Sequence, residues 1–238
     1  MAHKSVLGKL DRSAFGILEL PRLPRELLQG FLALEDLTGT TSDALDQCGI
    51  AATVPGSVLR PTDPKARIVG QAVTVLNLEL DTLSKVSRLG EIEAHNLAEP
   101  GDVLVVQGVA GISSMGGVSA SVGKRQGEAG AIVDGAVRDI DHSRRVGYPV
   151  WSSGVSPITG KWRIETVAVN QPVRIAGIEV RPGDLAIADE CGVCFVPYAR
   201  AAEVLAVARR LAQSEEERLA KLAEGIPLAQ FAAIPRKD

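Results

Sequence analysis

Between residues 103 and 151 the chain alternates short, wholly apolar runs with polar, glycine-bounded stretches of helical length. Residues 103–106 read as a strand, 117–125 as a helix, 131–133 as a strand and 139–147 as a helix, and Val150 and Trp151 open a further strand. A run that is apolar at every position suits a strand covered on both faces. Strand and helix in regular alternation predict parallel or mixed α/β layers.

The flanks extend this pattern. Residues 24–34 read as a helix with Leu27, Leu28, Phe31 and Leu32 on one side. Thr41-Ser42-Asp43 offers an N-cap for a short helix through Asp46. Residues 66–78 carry the strand signal, and residues 89–97 a helix that Glu99-Pro100-Gly101 stops. Short strands and turns follow over residues 155–196, and residues 198–225 form one long helix. No repeat or linker divides the chain. It reads as one domain over residues 1–238, with a core at about 37–197 and a C-terminal helix at 198–225.

Composition narrows the function classes. At 238 residues the chain can bury a full core without staples. With 3% aromatics, that core must be built of Val, Leu, Ile and Ala. Net charge is −3 and no Lys/Arg run stands out, which argues against a nucleic-acid partner. No apolar stretch is long enough for a membrane span, and residues 1–10 carry no signal-peptide core. Three cysteines fit reduced thiols in the cytoplasm. Cys191 and Cys194 form a CxxC without a second pair or a nearby histidine, so two packed thiols suit it better than zinc.

Chemistry concentrates in two loops. The strand at Val103 runs into a glycine- and serine-rich loop over residues 108–117, and the strand at Val133 into Asp134-Gly135-Ala136-Val137-Arg138-Asp139. Binding loops lie beyond the carboxyl ends of α/β strands, so both should open on one edge. Amides near Gly116 and Gly117, at a helix start, can hold a carboxylate. Arg138 brings a planar fork suited to the same anion, and Asp139 a hard oxygen ligand for Mg²⁺. The residues also admit plainer readings: Asp139 as an N-cap, Arg138 as a surface ion pair, and the glycines as an ordinary loop.

Gly116-Gly117-Val118-Ser119-Ala120, Gly127, Gly130 and Val133-Asp134-Gly135-Ala136-Val137-Arg138-Asp139 together resemble the RraA-like family. That family holds the 4-hydroxy-4-methyl-2-oxoglutarate/4-carboxy-4-hydroxy-2-oxoadipate aldolases and the regulator of ribonuclease activity A. Ser42-Asp43-Ala44-Leu45, Gly70-Gln71-Ala72-Val73-Thr74-Val75, Pro100-Gly101-Asp102 and Gly147-Tyr148-Pro149-Val150 extend the resemblance over most of the chain. It implies an α/β fold, a β/β/α sandwich of the swivelling type with flanking helices, assembled as homotrimers or homohexamers with sites at subunit boundaries. It implies a class II aldolase acting on a small 2-oxo acid to release pyruvate, with oxaloacetate decarboxylation as a companion activity. Mg²⁺ or Mn²⁺ would sit on Asp139, Arg138 would bind the keto acid, and the amides of Gly116, Gly117, Val118 and Ser119 would grip its carboxylate.

The pattern is broken at one position. The aldolases carry a water-ordering carboxylate twenty-one positions before the arginine, which here is Gly117. The resemblance also implies an acid in the tail helix that reaches a neighbouring subunit's site. Glu215 or Glu216 matches, and Glu215 falls on the stripe of Val204, Ala208, Leu211, Leu219 and Leu222. A solvated break in that stripe is the plainer alternative. Trp162 and Arg163 could close over a substrate or pack on a neighbour, and His142 lies one helical turn past Asp139. The competing expectation is a non-catalytic binding protein, a regulator of ribonuclease E, which the loss of the acid at Gly117 favours. A demethylmenaquinone methyltransferase lacks support, because no glycine-rich nucleotide motif stands near the N-terminus.

Overall fold

The computed structural model describes residues 5–234. Its strands are β1 (Thr53–Pro55), β2 (Arg60–Pro61), β3 (Ile68–Glu79), β4 (Val103–Gln107), β5 (Ser113–Met115) and β6 (Gly130–Val137). They continue with β7 (Val150–Val155), β8 (Ile164–Val169), β9 (Val173–Ile175), β10 (Ile178–Val180), β11 (Leu185–Ala188) and β12 (Gly192–Val196). The helices are α1 (Arg25–Leu32), α2 (Leu37–Gln47), α3 (Glu91–Leu97), α4 (Gly117–Gln126), α5 (Ile140–Val146), α6 (Ala201–Ala223) and α7 (Leu228–Ala232).

Ten strands form one mixed sheet in the order β1-β12-β11-β3-β4-β6-β7-β2, with β5 also paired to β6 and β8 to β3. The run β3-β4-β6-β7 is parallel, and α3, α4 and α5 make its crossovers. β3 turns this sheet into two layers. Its first residues pair with β11, Ala72–Leu76 with β4, and its last with β8.

Side-chain alternation shows the layering. Leu104 and Val106 of β4 face a core shared with α3 and α4, while Val103 and Val105 face a second core shared with β11 and β12. Leu185, Ile187, Cys194 and Val196 project the other way, into a third core with α1, α2 and α6. The order is therefore helix, sheet, sheet, helix. β4 is apolar throughout because both its faces are covered, as its sequence predicts.

Several boundaries differ from the sequence reading. α2 begins at Leu37, with the Asp36 carboxylate accepting from the Gly39 amide. Thr41 lies inside that helix and bonds back to the Leu37 carbonyl, so the Thr41-Ser42-Asp43 cap is displaced by an earlier one. Leu32 is exposed on α1 rather than packed beside Phe31. β6 runs on to Val137, so Asp134 to Val137 are strand rather than loop. The tail helix stops at Ala223 and a short α7 follows.

Glu215 does not interrupt a buried stripe. Ser214 takes the buried position on α6, and Glu215 is exposed. Beyond Leu211 the helix overhangs the core, leaving Leu219 and Leu222 open. The two thiols of the CxxC also part company: Cys194 is buried, and burial pushes its thiol up to about 12, whereas Cys191 is exposed. No helix among the described residues is long and apolar enough to cross a membrane.

Candidate functional site

Because β4 and β6 are parallel neighbours, their carboxyl ends meet on one edge. The chain leaving β4 returns as β5 and enters α4 at Gly117, while β6 delivers Arg138 and Asp139 beside it. The Arg138 amide donates to the Met115 carbonyl at 3.0 Å, which locks the two segments together.

Asp139 occupies the N-cap position of α5 without capping it through its side chain. Its backbone lies in the left-handed region at φ 58°, costly for most residues and tolerated best by Asn and Asp. The carboxylate is aimed away from α5. Oδ2 accepts from the Gly117 amide at 2.8 Å and lies 3.6 Å from the Arg138 Nε. The N-cap reading is thereby corrected: the side chain serves the start of α4, not of its own helix. A strained residue whose side chain points into a cleft is a candidate for function.

The glycines make this approach possible. A Cβ on Gly116 would stand 2.8 Å from the Asp139 carboxylate and 3.1 Å from the Arg138 Nε. A Cβ on Gly117 would meet the His142 ring at 3.0 Å. The histidine thus fills the space beside Gly117, with its Nε2 2.8 Å from the Ser121 hydroxyl.

Arg138, Asp139, Gly117 and Val118 divide two cavities. One, of about 300 Å³, is lined by residues including Glu91, Ser113, Gly116, Ser119, Thr159 and Lys161. The other, of about 1030 Å³, is more open and adds Arg125, His142 and Arg145. The sequence-derived residues Gly116, Gly117, Val118, Ser119, Arg138 and Asp139 therefore converge on one place. Of the 159–163 segment, Thr159, Gly160 and Lys161 reach the smaller cavity, while Trp162 is partly exposed and its carbonyl accepts from the Ser84 amide. Glu215 stands apart, in a polar groove with Asp36, Asp43 and Arg218.

Sequence reasoning missed two groups. Glu91, at the start of α3, is half-buried in the smaller cavity's wall, and desolvation raises its carboxyl above the usual range. A raised carboxyl in a cleft is a candidate acid or base. His95, one turn further on, is buried between the Glu128 carboxylate at 2.7 Å and the Ser119 hydroxyl at 2.8 Å. A histidine in a helical stretch with Ala94 and Leu97 on either side of the His95-Asn96 pair was the available signal.

The described residues contain no group of three or more His, Cys, Asp or Glu poised to cage a metal. Asp139 is a single carboxylate at the cleft, and Mg²⁺ commonly takes one or two carboxylates and fills its shell with water and substrate oxygens.

A family model described as RraA-like, Aldolase/RraA, matches residues 38–195. The chain belongs to this family. A Halalkalibacterium halodurans relative, named as a candidate 4-hydroxy-4-methyl-2-oxoglutarate aldolase, is 30% identical over 191 residues, covering 79% of this chain and 86% of that one. An uncharacterised Pseudomonas syringae protein superposes with a TM-score of 0.75 at 29% identity, over 89% of this chain and 99% of the other. Streptomyces coelicolor RraAS2, described as an unusual member of the RNase ES inhibitor RraA family, superposes with a TM-score of 0.71 at 30% identity, over 82% and 96%. The RraA-like fold expected from the sequence is thus shown, and the family spans aldolase and inhibitor names.

Proposed function

We propose that this RraA-like protein is a lyase that cleaves a small 4-hydroxy-2-oxo acid to pyruvate with the help of Mg²⁺ or Mn²⁺, and that it also decarboxylates oxaloacetate. The observation that carries this reading is the pairing of Arg138 and Asp139 at the mouth of two cavities, beside a helix start. Asp139 would hold the ion through the oxygen not taken by Gly117, with waters completing its shell. Bound there, the ion would supply Lewis acidity toward the keto oxygen. Arg138 sets a guanidinium beside the same position, where its charge favours an enolate oxygen over a neutral keto oxygen. The Gly117 amide is taken by Asp139, so the next amides of α4, those of Val118 and Ser119, orient the substrate carboxylate.

The deciding assay measures pyruvate release from a panel of 4-hydroxy-2-oxo acids and from oxaloacetate, with and without Mg²⁺ or Mn²⁺. Metal-dependent release supports the lyase. Silence across the panel favours a second reading, a binding protein of the ribonuclease E regulator kind, for which the bare Gly117 speaks. On the best substrate, Arg138→Lys is expected to lose at least about tenfold in kcat/KM, roughly 1.4 kcal/mol, because an ammonium cannot reproduce the fork. Unchanged kinetics would put the arginine outside the site.

We also propose a homotrimer, or a hexamer of trimers, in the cytoplasm. Val118 and Val155, both exposed, line the larger cavity, and the overhanging end of α6 presents Leu219 and Glu215 for a neighbour. Light scattering at micromolar concentration is expected to give a trimer mass or a multiple of it. A monomer alone would overturn the assembly.

A further inference from the structure

Behind the smaller cavity runs a chain of hydrogen bonds that the Arg138–Asp139 pair does not use. Ser119 lines the cavity from the first turn of α4. Its Oγ lies 2.8 Å from His95 Nε2, and His95 Nδ1 lies 2.7 Å from Glu128 Oε1. The other Glu128 oxygen accepts from the Tyr148 hydroxyl, which donates also to the Gly130 carbonyl. His95 and Glu128 side chains are 1% and 0% exposed.

The roles follow from donor and acceptor chemistry. Burial and the neighbouring Glu128 charge hold the Tyr148 hydroxyl protonated. The tyrosine therefore donates to Glu128, and the carboxylate accepts on both oxygens. His95 Nδ1–H can donate to that carboxylate, and in the tautomer protonated there Nε2 is an acceptor for the Ser119 hydroxyl. In that tautomer Ser119 donates to it. The result is a buried serine on the cavity wall whose hydroxyl is bonded to an imidazole, which is bonded in turn to a carboxylate held on both oxygens. This order lets a serine oxygen lose its proton, since the imidazolium that forms is paired with a charge already in place. Sinking a carboxylate this deep is costly, and an apolar trio would fill the gap between α3 and α4 more cheaply.

We propose that Ser119 is a catalytic residue of the lyase, moving the proton that cleavage requires, with His95 and Glu128 as its positioning residues. This rests on the lyase reading above and answers what replaces the acid absent at Gly117. In the cleavage direction the Ser119 oxygen takes the proton from the substrate's C4 hydroxyl while its own proton passes to His95 Nε2. The C4 oxygen closes to a carbonyl, the C3–C4 bond breaks, and its electron pair passes through C2 to the keto oxygen as an enolate. His95 then returns the proton through Ser119 to C3, which gives the pyruvate methyl group. No oxidant is consumed, and the relay ends as it began.

The test compares the parent with Ser119→Ala in three reactions. These are cleavage of the best substrate, exchange of pyruvate methyl protons into D₂O followed by NMR, and decarboxylation of oxaloacetate. The last breaks its bond without removing a hydroxyl proton. Cleavage and exchange are expected to fall at least tenfold in kcat, with KM changed less than twofold. Decarboxylation should fall by a smaller factor. Ser119→Thr, which keeps the hydroxyl, is expected to recover part of the loss, and a melt of each variant confirms the fold. Cleavage at the parent's rate in Ser119→Ala, or an equal loss in all three reactions, would overturn the proton role. If the parent itself neither cleaves nor exchanges, the lyase reading fails first and takes this one with it.

Discussion

Asp139→Asn is expected to lower turnover by about two orders of magnitude, roughly 2.7 kcal/mol of transition-state stabilisation, while leaving the fold nearly intact. The structure explains why the two effects separate. Residue 139 sits at φ 58°, a conformation that asparagine accepts as readily as aspartate. The one hydrogen bond its carboxylate receives from a backbone amide, from Gly117 at 2.8 Å, can be kept by an amide oxygen. What the substitution removes is the negative charge, on which a hard divalent cation depends. The metal-free melting temperature should move by no more than the few degrees that about 1 kcal/mol produces in a domain of this size. Calorimetric titration with Mn²⁺ in the presence of oxalate should show binding to the parent and its loss in the variant. Binding retained by the variant would remove Asp139 from the ligand set. A parent that binds no Mn²⁺ would remove the metal.

How much of this was legible beforehand depended on how local the signal was. β4 and β6 could be read because strands covered on both faces are apolar at each position, as Val103 to Val106 are. Two loops leaving parallel neighbours had to share an edge, so Arg138 and the Gly116 turn could be placed together before any coordinates. The start of α2 was misread because Asp36 and Thr41 are both competent caps, and packing of Leu37 into the third core chose between them. Glu215 was left between a buried acid and a solvated break because a 3–4 spacing does not reveal where α6 leaves the surface beneath it; it is exposed, as the second has it. The Ser119–His95–Glu128 line was illegible for a different reason: its members come from α3, α4 and the turn before β6, and no spacing links them. The space beside Gly117 had the same fate. The glycine reads as a missing acid, but only the fold shows His142 packed where the acid's side chain would begin.

Trp151→Ala is expected to cost about 3–5 kcal/mol, the range for emptying a large aromatic site in a packed core, out of the roughly 5–15 kcal/mol that holds a domain together. Trp151 is fully buried in the core between the two sheet layers, against residues of β6, β11 and β12. Its Nε1–H donates at 2.7 Å to the Asp189 carbonyl. Truncation therefore opens a cavity and also leaves that carbonyl without this donor. Trp151→Phe separates the two losses: the ring contacts are largely kept, and the missing donor alone should cost about 1–3 kcal/mol. Trp151 also pairs in register with Ile132 of β6, the strand that Arg138 and Asp139 directly follow. Activity of the folded alanine variant should accordingly fall as well, through displacement of those two residues. Urea unfolding followed by far-ultraviolet circular dichroism, at one protein concentration because the stability of the proposed oligomer would depend on it, measures the cost. A loss under about 1 kcal/mol for the alanine variant would mean that the two layers are not held together at Trp151.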